Sequence, residues 1–123
     1  MTERQRAGEI RTCLHCVLQR ALRAETDDLL NAHLRLTVTR SEPVWLPEAG
    51  TIIYRHLRRL LRESMKEALP GTPLKISVID QVGKSYVEVT AVFRGAEGWR
   101  TASCSLARYE LENLWGGFAE SAG

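Results

Sequence analysis

The stretch that decides the fold is residues 55–95, RHLRRLLRESMKEALPGTPLKISVIDQVGKSYVEVTAVFRG. At its start and one turn upstream, Ile53, Leu57, Leu60, Leu61, Ser64, Met65 and Ala68 recur every three or four positions, which lays them along one stripe of a helix. The spacing predicts a helix over 52–68, stopped sharply by Pro70-Gly71, a pair that cannot continue the helical hydrogen bonding. Leu74, Ile76 and Val78 then alternate with Lys75 and Ser77, the period of a strand with one buried face. Asp80-Gln81-Val82-Gly83-Lys84 supplies a turn, and Tyr86 to Phe93 is rich in β-branched residues, so two adjacent antiparallel strands follow the helix.

Upstream, Ile10, Cys13, Leu14, Val17, Leu18, Ala21 and Leu22 trace a second apolar stripe and predict a helix over 7–24. His33 to Thr39 switches to a period of two, with Leu34, Leu36 and Val38 on one side and Arg35, Thr37 and Thr39 on the other, as in a half-buried strand. Two prolines and a glycine between Ser41 and Gly50 end that strand, with Trp45 expected to anchor the loop and Thr51 to cap the next helix. Downstream, Arg94-Gly95-Ala96-Glu97-Gly98 leads into a last strand, Trp99 to Leu106, and a short helix over 107–115. The expected architecture is an α+β two-layer sandwich: a small mixed sheet of about four strands covered on one face by two amphipathic helices. One domain spans 1–123, with its core over 10–106 and a C-terminal helix and tail over 107–123.

Composition narrows the function. The 123 residues suit one hydrophobic core, and 17 Lys and Arg against 15 Asp and Glu leave a net charge of +2, too weak a field to imply nucleic acid or anionic lipid. No apolar run approaches the roughly 18 residues that cross a bilayer, and MTERQRAGEIRT lacks the apolar core of a signal peptide, so a cytoplasmic protein is expected. Cys13, Cys16 and Cys104 are odd in number and read as free thiols. Cys13, His15 and Cys16 invite a metal reading, but helical geometry sends both cysteines to the buried stripe and His15 elsewhere, so no metal site is assigned.

The order helix, strand, helix, strand, strand, strand, with its middle helix ending in LPGTPLKISV, resembles the ATP-binding domain of sensor histidine kinases, the GHKL or HATPase fold, over about residues 10–106. In that family the corresponding helix carries an asparagine that helps hold magnesium, and its position falls on Glu63. An acidic residue one turn earlier falls on Arg59. A glutamate can ligate magnesium, but its charge also repels a triphosphate. Arg59 and Glu63, at i and i+4, are spaced to pair with each other. The family's Asp-x-Gly-x-Gly motif falls on Phe93-Arg94-Gly95-Ala96-Glu97-Gly98, where Phe93 offers adenine no acceptor. The long ATP lid is missing, since GWRTASCSLA follows almost at once, and too few residues precede the first helix to build the hairpin that carries the phosphorylated histidine.

The resemblance therefore implies a degenerate, lidless pseudo-ATPase scaffold: a binding or regulatory module in bacterial two-component signalling, without catalytic residues, cofactor or phosphotransfer of its own. The alternative is a genuine nucleotide-binding protein, a small phosphotransfer or switch-type kinase homologue. In it Glu63 takes over magnesium, Arg59, Arg62 or Lys66 meets phosphate, and Gly95 and Gly98 lie near the nucleotide. A third reading is convergence on a common sandwich. The basic stripe Arg55, Arg58, Arg59, Arg62 and Lys66 is either a solvated face or a site for an acidic or phosphorylated protein partner. No aromatics interleave the arginines to stack on bases, which argues against nucleic acid, and no membrane partner is expected. Leu111, Leu114, Trp115 and Phe118 at helical spacing dock on the core or, left exposed, make Trp115 and Phe118 part of a partner or homodimer surface.

Overall fold

The computed structural model describes residues 11–39 and 41–109. In chain order these form β1 (Thr12–Cys13), α1 (Leu14–Ala24), α2 (Thr26–Asn31), β2 (Arg35–Val38), β3 (Trp45–Leu46), α3 (Gly50–Glu67), β4 (Pro73–Ile79), β5 (Tyr86–Gly95) and β6 (Gly98–Ala107). The main sheet has the order β2-β4-β5-β6, and β1 and β3 pair separately. β2 runs parallel to β4, while β4, β5 and β6 are an antiparallel meander, so the sheet is mixed. A parallel neighbour requires a crossover, and α3 supplies it. The result is the α+β two-layer sandwich, with α1 and α3 packed together over one face of the sheet.

The core lies where the sequence stripes meet. Leu14, Val17, Leu18 and Ala21 of α1 and Ile53, Leu57, Leu60 and Leu61 of α3 close on Leu74, Ile76, Val87, Val89, Ala91, Phe93 and Leu106 of the sheet. Ser64 shares that buried stripe because its Oγ donates to the Leu60 carbonyl at 2.8 Å, which satisfies the hydroxyl without leaving the helix. The end of α3 is tied to the sheet by Leu69, whose N–H donates to the Arg94 carbonyl at 2.8 Å.

Several local expectations are corrected. Residues 12–13 are strand and the first helix begins at Leu14, while the part of the expected helix before residue 11 lies outside the described residues. Cys16 is exposed rather than buried, because α1 starts one residue after Cys13 and turns its Leu14–Val17–Leu18–Ala21 face to the core. A short helix, α2, occupies Thr26–Asn31 with Ala32 as its C-cap, and His33 beyond it takes the left-handed conformation with φ 55°. β2 is shorter than the alternation suggested, and Leu36 and Val38 are exposed because the strand lies at the sheet edge. Trp45 is 55% exposed, and its neighbours Val44 and Leu46 anchor the loop instead. Ala49, not Thr51, caps α3, and no side chain closes that cap. Ala107 ends β6, so the expected helix over 107–115 does not begin there, and the rest of it, from residue 110, lies outside the described residues.

Candidate functional site

The site begins with one buried acid. Glu25 stands between α1 and α2: its N–H donates to the carbonyls of Ala21 and Leu22, and its own carbonyl accepts from Leu29 at 2.9 Å. Asp27 and Asp28 follow in the first turn of α2, where negative charge suits the positive end of a helix. The break between the helices turns the Glu25 side chain inward, leaving it 1% exposed. A buried carboxylate is costly unless paired, and two arginines of α3 meet it. Arg62 Nε donates to Glu25 Oε1 at 2.7 Å and Arg58 Nε donates to the same oxygen at 3.2 Å. Burial, the largest single influence, pushes the Glu25 carboxyl up, but the hydrogen bonds and charges of Arg62 and Arg58 together outweigh it and hold it below its ordinary value.

This anchor organises a groove of about 830 Å³ along the outer face of α3, lined by Arg20, Thr51, Tyr54, Arg55, Arg58, Arg59, Arg62 and Glu63. The α3 members recur at i, i+3 and i+4 and lie away from the buried stripe of Ile53, Leu57, Leu60 and Leu61. Arg58 Nη1 donates to the Tyr54 hydroxyl at 2.8 Å, and the Arg58 and Arg20 guanidinium carbons stand 5.4 and 5.9 Å from the centre of the Tyr54 ring, within cation–π range. Five of the eight lining residues are thus arginines, and Glu63 is the one acid among them. Planar guanidinium forks match carboxylate and phosphate oxygens two at a time, so the lining has the chemistry to receive an anion.

Of the residues singled out in the sequence, Arg55, Arg58, Arg59, Arg62 and Glu63 all line this groove. Among the described residues no ion pair joins Arg59 to Glu63, so their spacing alone does not couple them. Lys66 lines a neighbouring depression with Arg62, Asp28 and Asn31. Gly95 and Gly98 sit at the two ends of the β5–β6 turn, outside the groove, with Gly98 at φ 131° and Gly95 packed beside the end of α3. Phe93 is 1% exposed in the core. Trp115 and Phe118 lie outside the described residues. Sequence reasoning missed Glu25, Tyr54 and Arg20. Tyr54 and Arg58 at i and i+4 were a visible signal, whereas the inward turn of Glu25 depends on a helix break that no proline or glycine marks.

The fold is of the kind found in histidine kinase catalytic domains. The catalytic domain of histidine kinase ThkA, in a nucleotide-free form, matches with a TM-score of 0.62 at 15% identity over 70% of this chain and 58% of that one. Histidine kinase AdeS of Acinetobacter baumannii matches at 0.56 and 23% identity over 70% and 42%, and the mycobacterial sensor histidine kinase MprB at 0.57 and 17% over 70% and 55%. At such identities the similarity is one of fold, and the chain spans only about half the length of these structures. No protein-family profile matches the sequence. No curated protein matches it either. None of the described helices is long and apolar enough to cross a membrane.

Proposed function

We propose that this histidine-kinase-like domain is a binding module in signalling whose arginine groove captures an acidic or phosphorylated segment of a protein partner, without phosphotransfer of its own. The observation that carries this reading is the set of five groove arginines, two of them held in place by the buried Glu25. Prepositioned guanidinium groups lose less side-chain entropy on meeting an anion, which favours binding. Two further features weigh against adenine nucleotide. Phe93 stands in the core where the family has its adenine-binding aspartate, and β5 passes into β6 through Ala96 and Glu97 alone, where a lid would need many more residues. A second reading, magnesium nucleotide in the same groove, is favoured by one fact: Arg59 and Glu63, the positions equivalent to the family's phosphate-side residues, both line it.

Two measurements separate these. Thermal unfolding with millimolar magnesium-ATP, magnesium-ADP or magnesium alone should leave the midpoint unchanged. A ligand at 100 times its Kd adds about 2.7 kcal/mol, a rise on the order of 10 °C for a domain of this size. A rise of that order with nucleotide, abolished by Glu63→Asn or Arg59→Ala, supports the second reading and removes the first. Titration of a fluorescent phosphoserine-rich acidic peptide should show salt-dependent binding that weakens at least about tenfold in Arg55→Glu. Equal affinity of Arg55→Glu and wild type means the groove is not the site.

A further inference from the structure

β6 ends where the arginine groove begins. α3 crosses over between the parallel strands β2 and β4 and so runs against them, and β6 has the direction of β4 because both are antiparallel to β5. Contacts at one end agree. Arg100, near the start of β6, faces Glu67, the last residue of α3, with Nη2 3.8 Å from Oε1, and the Leu69 N–H donates to the Arg94 carbonyl near the end of β5. A helix of 18 residues is about 27 Å long and a strand of ten about 33 Å, so the far end of β6 reaches the level of Thr51, the first residue of α3 to line the groove. Arg108 fixes the chain there. Its N–H donates to the Ser85 carbonyl at 2.9 Å, its Nε to the Lys84 carbonyl at 2.8 Å, and its Nη2 pairs with Asp80.

The segment that departs from this point, 110–123, lies outside the described residues, and its charge is one-sided. It carries Glu110, Glu112 and Glu120 and no lysine, arginine or histidine. Residues 1–10, also outside the described residues, balance Glu3 and Glu9 with Arg4 and Arg6. In the groove, Arg58 and Arg62 are committed to Glu25, and among the described residues Arg20, Arg55 and Arg59 pair with no carboxylate. Acids in the C-terminal segment therefore match a surplus of arginine in the groove. Trp115 and Phe118 add rings of the kind that Tyr54 already lends to Arg20 and Arg58. The chain is also long enough: Thr51 to Glu63 cover about 18 Å of helix, and 110–123 span up to about 46 Å when extended.

We propose that the segment 110–123 occupies the arginine groove of its own chain, its glutamates meeting Arg20, Arg55 and Arg59, and that an acidic or phosphorylated partner binds by displacing it. The second half rests on the reading of the groove as a receptor for such partners. Tethering holds the segment at an effective concentration of roughly millimolar, so weak ion pairs suffice to keep it in place. A free competitor has no tether and must bring a higher charge density, which phosphate supplies. The segment thus screens the groove from weakly acidic peptides and leaves it open to strongly charged ones.

Two measurements on the full chain test this. Arg55→Lys keeps the charge and introduces an amine, and carbodiimide joins amines only to carboxylates in contact with them. It should link position 55 to Glu110, Glu112 or Glu120 of the same chain, as read by peptide mass spectrometry, and high salt should suppress the link. The fluorescent phosphoserine-rich peptide should bind a variant carrying Glu110→Gln, Glu112→Gln and Glu120→Gln at least about threefold more tightly than wild type, since a segment that fills the groove about two-thirds of the time hides that fraction of sites. Links from position 55 only to carboxylates outside 110–123, or only between two chains, overturn the proposal. Equal peptide affinity of the triple variant and wild type, with Arg55→Glu still weakening binding, also overturns it and leaves the groove reading intact. A link to the segment together with peptide binding indifferent to Arg55→Glu overturns displacement by a partner, and the groove reading with it, while the docked segment stands.

Discussion

Replacing Glu25 by glutamine tests the anchor beneath the groove. The substitution keeps the size and one oxygen of the side chain but removes the charge that Arg58 and Arg62 share. A hydrogen bond to a charged group contributes roughly 1.5–3 kcal/mol, and breaking a fully buried ion pair costs about 3–5 kcal/mol. The lower range applies here, because Arg62 is 63% exposed and can return to water once released. After that discount a loss of about 1–2 kcal/mol is expected at neutral pH, a fall of roughly 4–10 °C in melting temperature for a chain of this length. The dependence on pH carries more information than the size. The folded carboxyl titrates below its ordinary value of 4.5, so its contribution is complete above that value and is lost as pH falls through the lower, folded one. Urea unfolding of wild type and Glu25→Gln between pH 7 and pH 3 should show two stabilities that differ at pH 7 and converge in acid. A difference below about 0.5 kcal/mol at pH 7, or a larger one that stays constant down to pH 3, would refute the anchoring role of the charge.

Three further substitutions follow from the β5–β6 hairpin. Phe93→Asp introduces the acidic residue of the histidine kinase pattern but places it in the core at a position 1% exposed, so it should cost more than about 4 kcal/mol and leave little folded protein in urea titrations. A Phe93→Asp variant with a near-native midpoint would show that the position faces solvent. Gly98→Ala should cost about 1–2 kcal/mol, because φ 131° strains any residue with a Cβ, while Gly95→Ala should stay within about 0.5 kcal/mol, since only the flexible Arg100 side chain, 3.1 Å from the added carbon, must yield. Equal losses at both glycines would remove the conformational explanation.

The central part of the fold was legible because its local signals agree. Ile53, Leu57, Leu60 and Leu61 are spaced for a helix, Pro70-Gly71 ends it, and Leu74 and Ile76 alternate into the sheet. The ends of elements were less legible. Cys13 fits the apolar stripe of α1 yet belongs to β1, because pairing with Trp45 in β3 competes with helical propensity and wins. α2 escaped notice because six residues hold too little period to separate them from a loop. The basic face of α3 was visible as a run of arginines, but its organisation was not. Glu25 lies more than thirty positions from Arg58 and Arg62, and only the packing of α1 and α2 against α3 brings the three together.

The strand order also bears on how the chain is made. β4, β5 and β6 pair with sequence neighbours, and α3 packs on them, so residues 50–107 hold a nucleus of largely local contacts. α1 is synthesised before any of this exists. At about 5–20 residues per second, some 4–17 s separate the completion of Ala24 from that of Ala107, the last residue of β6. Throughout that interval Leu14, Val17 and Leu18 have no sheet to cover them. The apolar stripe of the N-terminal helix thus stays open at least until α3, the helix it packs against, has been made.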